Sequence, residues 1–447
     1  MAAVLCGPAA GDVVGWRGDG TGSFPSASPP LHWAANSNVV WKTKLPKWSN
    51  ASPILVGDRL FVCAEPASLI CLAAADGRIL WQADHTYADL LPADQREQAR
   101  EKEKRAVDLS GKVEKLDRQI KAKEKQLTNV AENARAPLQQ ELEQARKELE
   151  PLRAESGALA ACLPPPTHPI NGFATPTPAS DGRWVYALFG NGVAAGYDLE
   201  GHCRWSRLIH RPAQGWGHST SPLLVSDKLI VQIEQRLTAL DCATGSNLWE
   251  AAVDHHWGSP VRARVGDADV VVTAGGDFVK VSDGAVLARR LSKLDYCTPL
   301  VEGSVAYFVE NGGKAIQLPA AMGEKFEAKA LWETKPENDR YYASPILCEG
   351  RLWGIMQKSV LSLIDSTSGV VVASSPLNLG GTVYPSITRA GAYVYVSSDN
   401  GRTVVFKAGR QLDAVATNSL EGFRTCPLFI GPRMYVRGLE HLYCIAE

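Results

Sequence analysis

A chain of 447 residues, 45% hydrophobic and 21% charged, is long enough to bury a large core. Its formal net charge of −1 supplies no global attraction to nucleic acid or to an anionic lipid surface. It contains no run of roughly 18 apolar residues, so no membrane-spanning helix is predicted.

Residues 1–36 form a leader. The segment Ala2-Ala3-Val4-Leu5-Cys6 and the small residues Gly7 to Gly11 are similar to the end of an export signal, without its basic start or full apolar run. A signal-peptide remnant is therefore predicted there, although Leu5 makes Cys6 a poor lipid acceptor. Residues 12–36, rich in Gly, Ser and Pro, are expected to pack on the fold as an ordered loop. The tripeptide Arg17-Gly18-Asp19 within them is read as coincidence. A single strand follows at Asn38–Thr43, carrying Trp41.

From there a cassette recurs about eight times. An X-Pro pair opens it, at Pro53, Pro176, Pro222, Pro260, Pro299, Pro345, Pro385 and Pro427. Apolar segments separated by Gly-Asp, Asp-Gly and Glu-Gly turns come next. Several copies close on Asp, Gly and Trp, as in Asp76-Gly77-Arg78-Ile79-Leu80-Trp81 and in Asp241 through Trp249. From Pro176 onward the openers lie roughly 38 to 46 residues apart, about one four-stranded propeller blade each. Blade-like units are predicted over 51–84, 173–208, 219–253, 258–290, 297–335, 343–377, 383–416 and 425–446. The last unit stops after three strands, and the strand near Val39 is the missing fourth. Pairing the two would close the ring and remove two open edges. The predicted fold is an all-β, eight-bladed β-propeller over 37–84 and 166–447.

Residues 85–165 interrupt the repeat with a helical composition. Asp94 and Glu97 form a capping-box pattern after Pro92. Val113, Leu116, Ile120, Leu127 and Val130 make one apolar seam, and Leu138, Leu142, Ala145, Leu149 and Leu152 make another. A break near 133–136 would place Pro137 in the first turn of the second helix. Seams of matching length predict an antiparallel coiled-coil hairpin with a paired part of about 25 Å at 1.5 Å per residue. It reads either as a docking arm for a partner or as a solvated surface insertion.

The residues ahead of the openers are rich in aromatics and histidine. Trp48, Phe173, Trp216, His218, His256, Trp257, Tyr296, Tyr341, Tyr342, Tyr384 and Arg424 are the candidate binding residues. If each opener starts an innermost strand, these side chains converge on one mouth of the central channel. A ring of flat aromatics with a few polar handles suits a planar ligand, a sugar or a peptide; the competing reading is packing between blades. No catalytic residue is assigned. Gly217-His218-Ser219-Thr220-Ser221 lacks the final Gly and the following helix of a nucleophile elbow. His255 and His256 are adjacent and face opposite sides of a strand, and HExxH, paired CxxC and Asp-rich calcium loops are missing, so no metal site is predicted. The ten cysteines are read as small buried hydrophobes.

The closing pattern, strongest at Leu240–Trp249 and Ala73–Trp81, resembles the repeat of the pyrroloquinoline-quinone (PQQ) propeller family. That resemblance covers about 37–84 and 170–446 and implies propeller packing. The family's dehydrogenases hold PQQ with calcium, and many carry adjacent cysteines, which this chain lacks. Its compact blades look more like the BamB-type, non-catalytic branch. The resemblance therefore implies an exported, periplasmic scaffold or binding protein with no cofactor. It would engage a protein or small ligand at the mouth or the arm. The alternatives are a PQQ-binding oxidoreductase and a carbohydrate-binding propeller.

Overall fold

A computed structural model describes residues 15–335 and 339–447; the predicted signal-peptide remnant lies outside the described residues. The chain divides into two compact units, one comprising residues 1–86 and 166–447 and the other Tyr87–Pro165.

The larger unit is an eight-bladed propeller of antiparallel sheets. Blade one runs from Ile54 to Asp84 and blade two from Ala179 to Leu208; blades three to seven follow in order to Ser419. Within a blade the middle strands, such as Arg59–Ala64 and Ser68–Ala73, are buried almost throughout, because neighbouring blades cover both faces. The outer strands, such as Ile79–Asp84, alternate between exposed and half-buried. In every blade the outer strand carries a register shift, as where Cys71 pairs with Trp81 but Leu72 pairs with Ile79. Such a bulge adds the local twist that a radial sheet needs.

Blade eight joins the two ends of the chain. Val39–Lys44 is its outer strand, pairing Val39 with Ile445 and Lys44 with His441. The leader contributes more than a loop: Ser23–Phe24 pairs parallel to Arg389 and Ala390 and adds a fifth, inner strand to blade seven.

The Asp–Gly–Trp signature acts between blades. The Trp81 indole N–H donates to the Leu199 carbonyl at 3.0 Å, and Trp205 donates to Cys242 at 2.9 Å. Trp249 and Trp332 reach Val281 and Ser366 in the same way, and Trp41 carries the pattern from blade eight to Ala74 of blade one. Each ring lies over the turn glycine of the next blade. At Gly245, which has φ +68°, an added Cβ would stand 2.5 Å from the Trp205 ring. Glycine is thus required there twice, for its backbone conformation and for the closeness of the indole.

Of the nine described cysteines six are buried and none is disulfide-bonded. Those six fit the reading as small core side chains, whereas Cys203 is exposed and Cys162 and Cys242 are half-buried.

The second unit is an antiparallel helical hairpin, α1 over Ala93–Asn129 and α2 over Glu132–Ala158. Ile120, Leu142 and Leu149 form its core with Val113, Leu116 and Ala145. Ion pairs between Arg146 and Glu124 at 2.7 Å and between Arg153 and Asp117 at 2.5 Å cross the seam. Two details differ from expectation. Asp94 lies inside the first turn, and the N-cap position Pro92 makes no side-chain cap bond. The chain reverses at Val130–Ala131, so Pro137 and Pro151 both fall inside α2. No helix among the described residues is long and apolar enough to cross a membrane.

Candidate binding site at the channel mouth

The openers assemble a ring. In seven of the eight blades the residue before the opening proline is held extended by that proline and donates its backbone N–H to a hydroxyl of the next blade. Ser52 donates to Thr177 (3.0 Å), Thr177 to Ser221 (3.0 Å), and Ser221 to Ser259 (2.9 Å). Ser259 then donates to Thr298 (2.9 Å), Thr298 to Ser344 (3.0 Å), and Ser344 to Ser386 (2.9 Å). Cys426 of blade eight returns to Ser52 at 2.9 Å. Two openers shift in register. Thr177 makes Pro178, and not Pro176, the equivalent proline of blade two. In blade seven Ser386 follows Pro385 instead of preceding a proline.

Above this ring all eight inter-blade crossings line one axial cavity of about 410 Å³. Its wall is an arc of aromatic rings. Trp257 stacks on Tyr296 with centroids 5.4 Å apart, Tyr296 meets Tyr342 edge-on at 4.9 Å, and Tyr342 stacks on Tyr384 at 5.0 Å. The Arg424 guanidinium continues the arc 5.8 Å from the Tyr384 ring. At the crossing before Trp257, Trp216, 59% exposed, stacks on His168 at 4.3 Å.

Two carboxylates, the half-buried Glu65 and the buried Glu310, hold crossings in place. Glu65 accepts the N–H groups of Phe173 (2.7 Å) and Ala174 (2.6 Å). Glu310 accepts those of Asp295 (2.7 Å) and Tyr296 (3.2 Å). Burial pushes both carboxyl groups up to about 7, against the opposing pull of these N–H donors.

The structure brings Trp216, Trp257, Tyr296, Tyr342, Tyr384 and Arg424 to the cavity wall. Five other expected residues stand elsewhere, so their assignment to the mouth is corrected. Tyr341 is 1% exposed and packs in the core between blades. His256 is buried, with its ring 3.6 Å from the Asp295 carboxylate. Extended backbone turns successive side chains to opposite sides, so Tyr341 and His256 go inward as Tyr342 and Trp257 go out. His218 is buried, and burial followed by nearby His255 lowers it to about 4. Trp48 lines a separate shallow pocket with Pro46, Pro169 and Leu439. Phe173 is held by Glu65 at the crossing and does not line the cavity.

Sequence reasoning also missed residues that do line it: Trp16, Asn50, Asn171, His168 and Arg340. Asn50, three residues before Pro53, and Arg340, ahead of Tyr341-Tyr342, lie in the loops already singled out. Trp16 carried no signal, because only the fold brings the leader to the axis. Beside it Arg17 is 2% exposed and donates to the carbonyls of Pro345 (2.8 Å) and Ile387 (2.9 Å). Burial lowers its guanidinium to about 10. Trp16 also lines a larger cavity of about 810 Å³ shared with blades two to four.

The chemistry of the mouth is that of hydroxyls, amides, aromatic rings and two guanidinium groups. Its lining includes no Asp or Glu among the described residues, and the described residues contain no cluster of three or more His, Cys, Asp or Glu fit for a metal. A calcium ion seeks six to eight oxygen ligands, usually with carboxylates among them. This donor set does not fit a calcium-bound quinone.

Comparison with known proteins agrees with the fold. A family model described as "Outer membrane protein assembly factor BamB" matches residues 28–162, 167–369 and 234–445. The outer membrane protein assembly factor BamB of Legionella pneumophila (strain Paris) is 24% identical over 195 residues, 41% of this chain and 49% of that protein. The chain thus spans about half the length of that relative. Among solved structures, BamB from Moraxella catarrhalis superposes over 92% of this chain and 99% of its own, at 12% identity and a TM-score of 0.57. A europium-containing methanol dehydrogenase superposes over 98% of both chains, at 11% identity and a TM-score of 0.55. At these identities the likeness is one of fold.

Proposed function

The chain belongs to the family described as outer membrane protein assembly factor BamB, and from that membership we propose a non-catalytic binding propeller of the bacterial envelope that holds a partner protein at its axial mouth. The observation that carries this reading is the wall of the cavity. Three Trp, three Tyr and two Arg line it, with no Lys, Asp or Glu among the described residues. Trp, Tyr and Arg are the residues that dominate binding energy at protein interfaces, where Lys, Glu and Asp are depleted.

The oxidoreductase alternative draws support from the shared fold alone, because the mouth lacks the carboxylates of a calcium–quinone site. Export and residence in the periplasm rest on the family and are part of the same proposal.

A photo-crosslinking amino acid in place of Trp216, in the full chain expressed in its own cell, tests it. The expected result is a discrete adduct with another protein, lost when Tyr342 is replaced by Ala. Saturable, calcium-dependent binding of PQQ by the purified chain, or glycan binding abolished by Trp216→Ala, would overturn it.

A further inference from the structure

We propose that the mouth selects an acidic peptide: a partner segment bearing Asp or Glu beside an aromatic or aliphatic side chain. The inference rests on the partner-binding reading above and specifies the chemistry of the segment.

Two observations carry it. The first is charge. Arg340 and Arg424 place two guanidinium groups at the cavity wall, and no carboxylate in the lining answers them among the described residues. Arg340 is exposed, and its nearest polar contact is the Tyr342 hydroxyl at 3.5 Å. Arg424 gives one long bond to the Ile170 carbonyl at 3.4 Å, while its Nε is buried without a hydrogen-bond partner. Several Arg residues elsewhere on this propeller find an acid: Arg262 meets Asp269 at 2.7 Å and Arg290 meets Asp254 at 2.6 Å. Guanidinium groups left facing a cavity with spare donors are built for a carboxylate, which a planar fork can hold bidentately.

The second observation is the arrangement of the rings. The arc of Trp257, Tyr296, Tyr342 and Tyr384 spans four successive crossings and ends at Arg424. A ligand that pairs with Arg424 therefore lays its adjoining atoms along aromatic faces. Rigid aromatic walls bury apolar surface with little loss of side-chain freedom. The cavity's roughly 410 Å³ is within the range of sites that enclose a short segment instead of a whole surface. Trp216, exposed at the crossing before Trp257 and stacked on His168, gives an entering chain a further face to rest on.

Panning a random heptapeptide library against the immobilised full chain tests the proposal, with a Tyr342→Ala variant as counter-selection. The expected outcome is enrichment of peptides carrying Asp or Glu next to an aromatic or aliphatic residue. A selected peptide should then bind at least about tenfold more weakly to Arg340→Gln and to Arg424→Gln, and amidation of its acidic side chains should cost as much. Arg340 is exposed, so its variant keeps the fold and isolates the charge. Enrichment of neutral or basic peptides, affinity indifferent to both Arg variants, or displacement of the selected peptide by equimolar citrate would overturn the acidic-peptide proposal. The partner-binding reading would survive those outcomes if the Trp216 crosslink still captured a protein; if the crosslink failed as well, both would fall.

Discussion

The Ser52 hydroxyl accepts the backbone N–H of Cys426 at 2.9 Å, so blade one is tied to blade eight by a side chain as well as by the outer strand at Val39–Lys44. The bond is buried and spans 374 residues of sequence. It is the last of seven like links in the ring around the axis. Removing the hydroxyl in Ser52→Ala strands a buried N–H, and a buried unsatisfied donor costs about 1–3 kcal/mol. Urea unfolding of the variant should show that loss at unchanged m-value. An exposed hydroxyl such as Thr244, which bonds within its own turn, should cost under about 0.5 kcal/mol when replaced by Ala. Equal effects at the two sites would remove the ring from the account of stability.

The Trp–Gly contact separates two contributions. In Trp205→Phe the indole loses its bond to the Cys242 carbonyl but keeps a ring over Gly245. The expected cost is about 1 kcal/mol for the bond, with some loss of packing. In Gly245→Ala the new Cβ must displace the indole and hold a left-handed backbone at φ +68°. That variant should lose more, about 2 kcal/mol or above. A Gly245→Ala variant as stable as the parent would show that the blades slide freely past one another at this turn.

The blade count, the closure by Val39–Lys44 and the turn signatures are legible in the sequence, because turns and alternating apolar segments are local. The Ser or Thr before most of the opening prolines is visible as a type, but its role is not, since the acceptor belongs to the next blade. By local sequence Pro176 and Pro178 are equally good openers; only the bond from Thr177 to Ser221 decides between them. At the mouth, composition pointed to the right loops. It could not tell Tyr342 from Tyr341, or Trp257 from His256, because alternation sets the spacing of side chains and leaves open which of them faces out. Trp16 and Arg17 reach the axis through contacts more than 300 residues distant in sequence, beyond any local pattern.

The helical hairpin has its own core, and its stability should be separable. Leu149 is 4% exposed and packs with Ile120 and Leu142. Leu149→Ala should cost about 2–5 kcal/mol of local stability. Hydrogen exchange on the full chain should then show faster exchange at amides within Ala93–Ala158, with the propeller strands unchanged. Acceleration of the strand amides by a similar factor would mean that the two units unfold together.

Two kinds of buried group give the propeller opposing responses to pH. His218 is held down to about 4 by burial, below its ordinary 6.5. The unfolded chain then binds a proton that the folded chain refuses. His218 therefore contributes stability above pH 6.5 that is lost as the pH falls toward 4. Glu310 is raised to about 7 from its ordinary 4.5. Its folded form retains a proton the unfolded chain releases, so its contribution is complete below pH 4.5 and is lost as the pH rises to 7. The two slopes oppose one another between pH 4.5 and 6.5. Glu310→Gln keeps a side-chain carbonyl to accept the N–H groups of Asp295 and Tyr296 and removes the titration. In that variant the unfolding free energy should rise more steeply with pH over this window, by up to about 1.4 kcal/mol per pH unit. Denaturant titrations at pH 4.5, 5.5, 6.5 and 7.5 would measure it. A parallel pair of curves for variant and parent would place the proton of Glu310 at its ordinary value and leave the crossing that carries Tyr296 indifferent to pH.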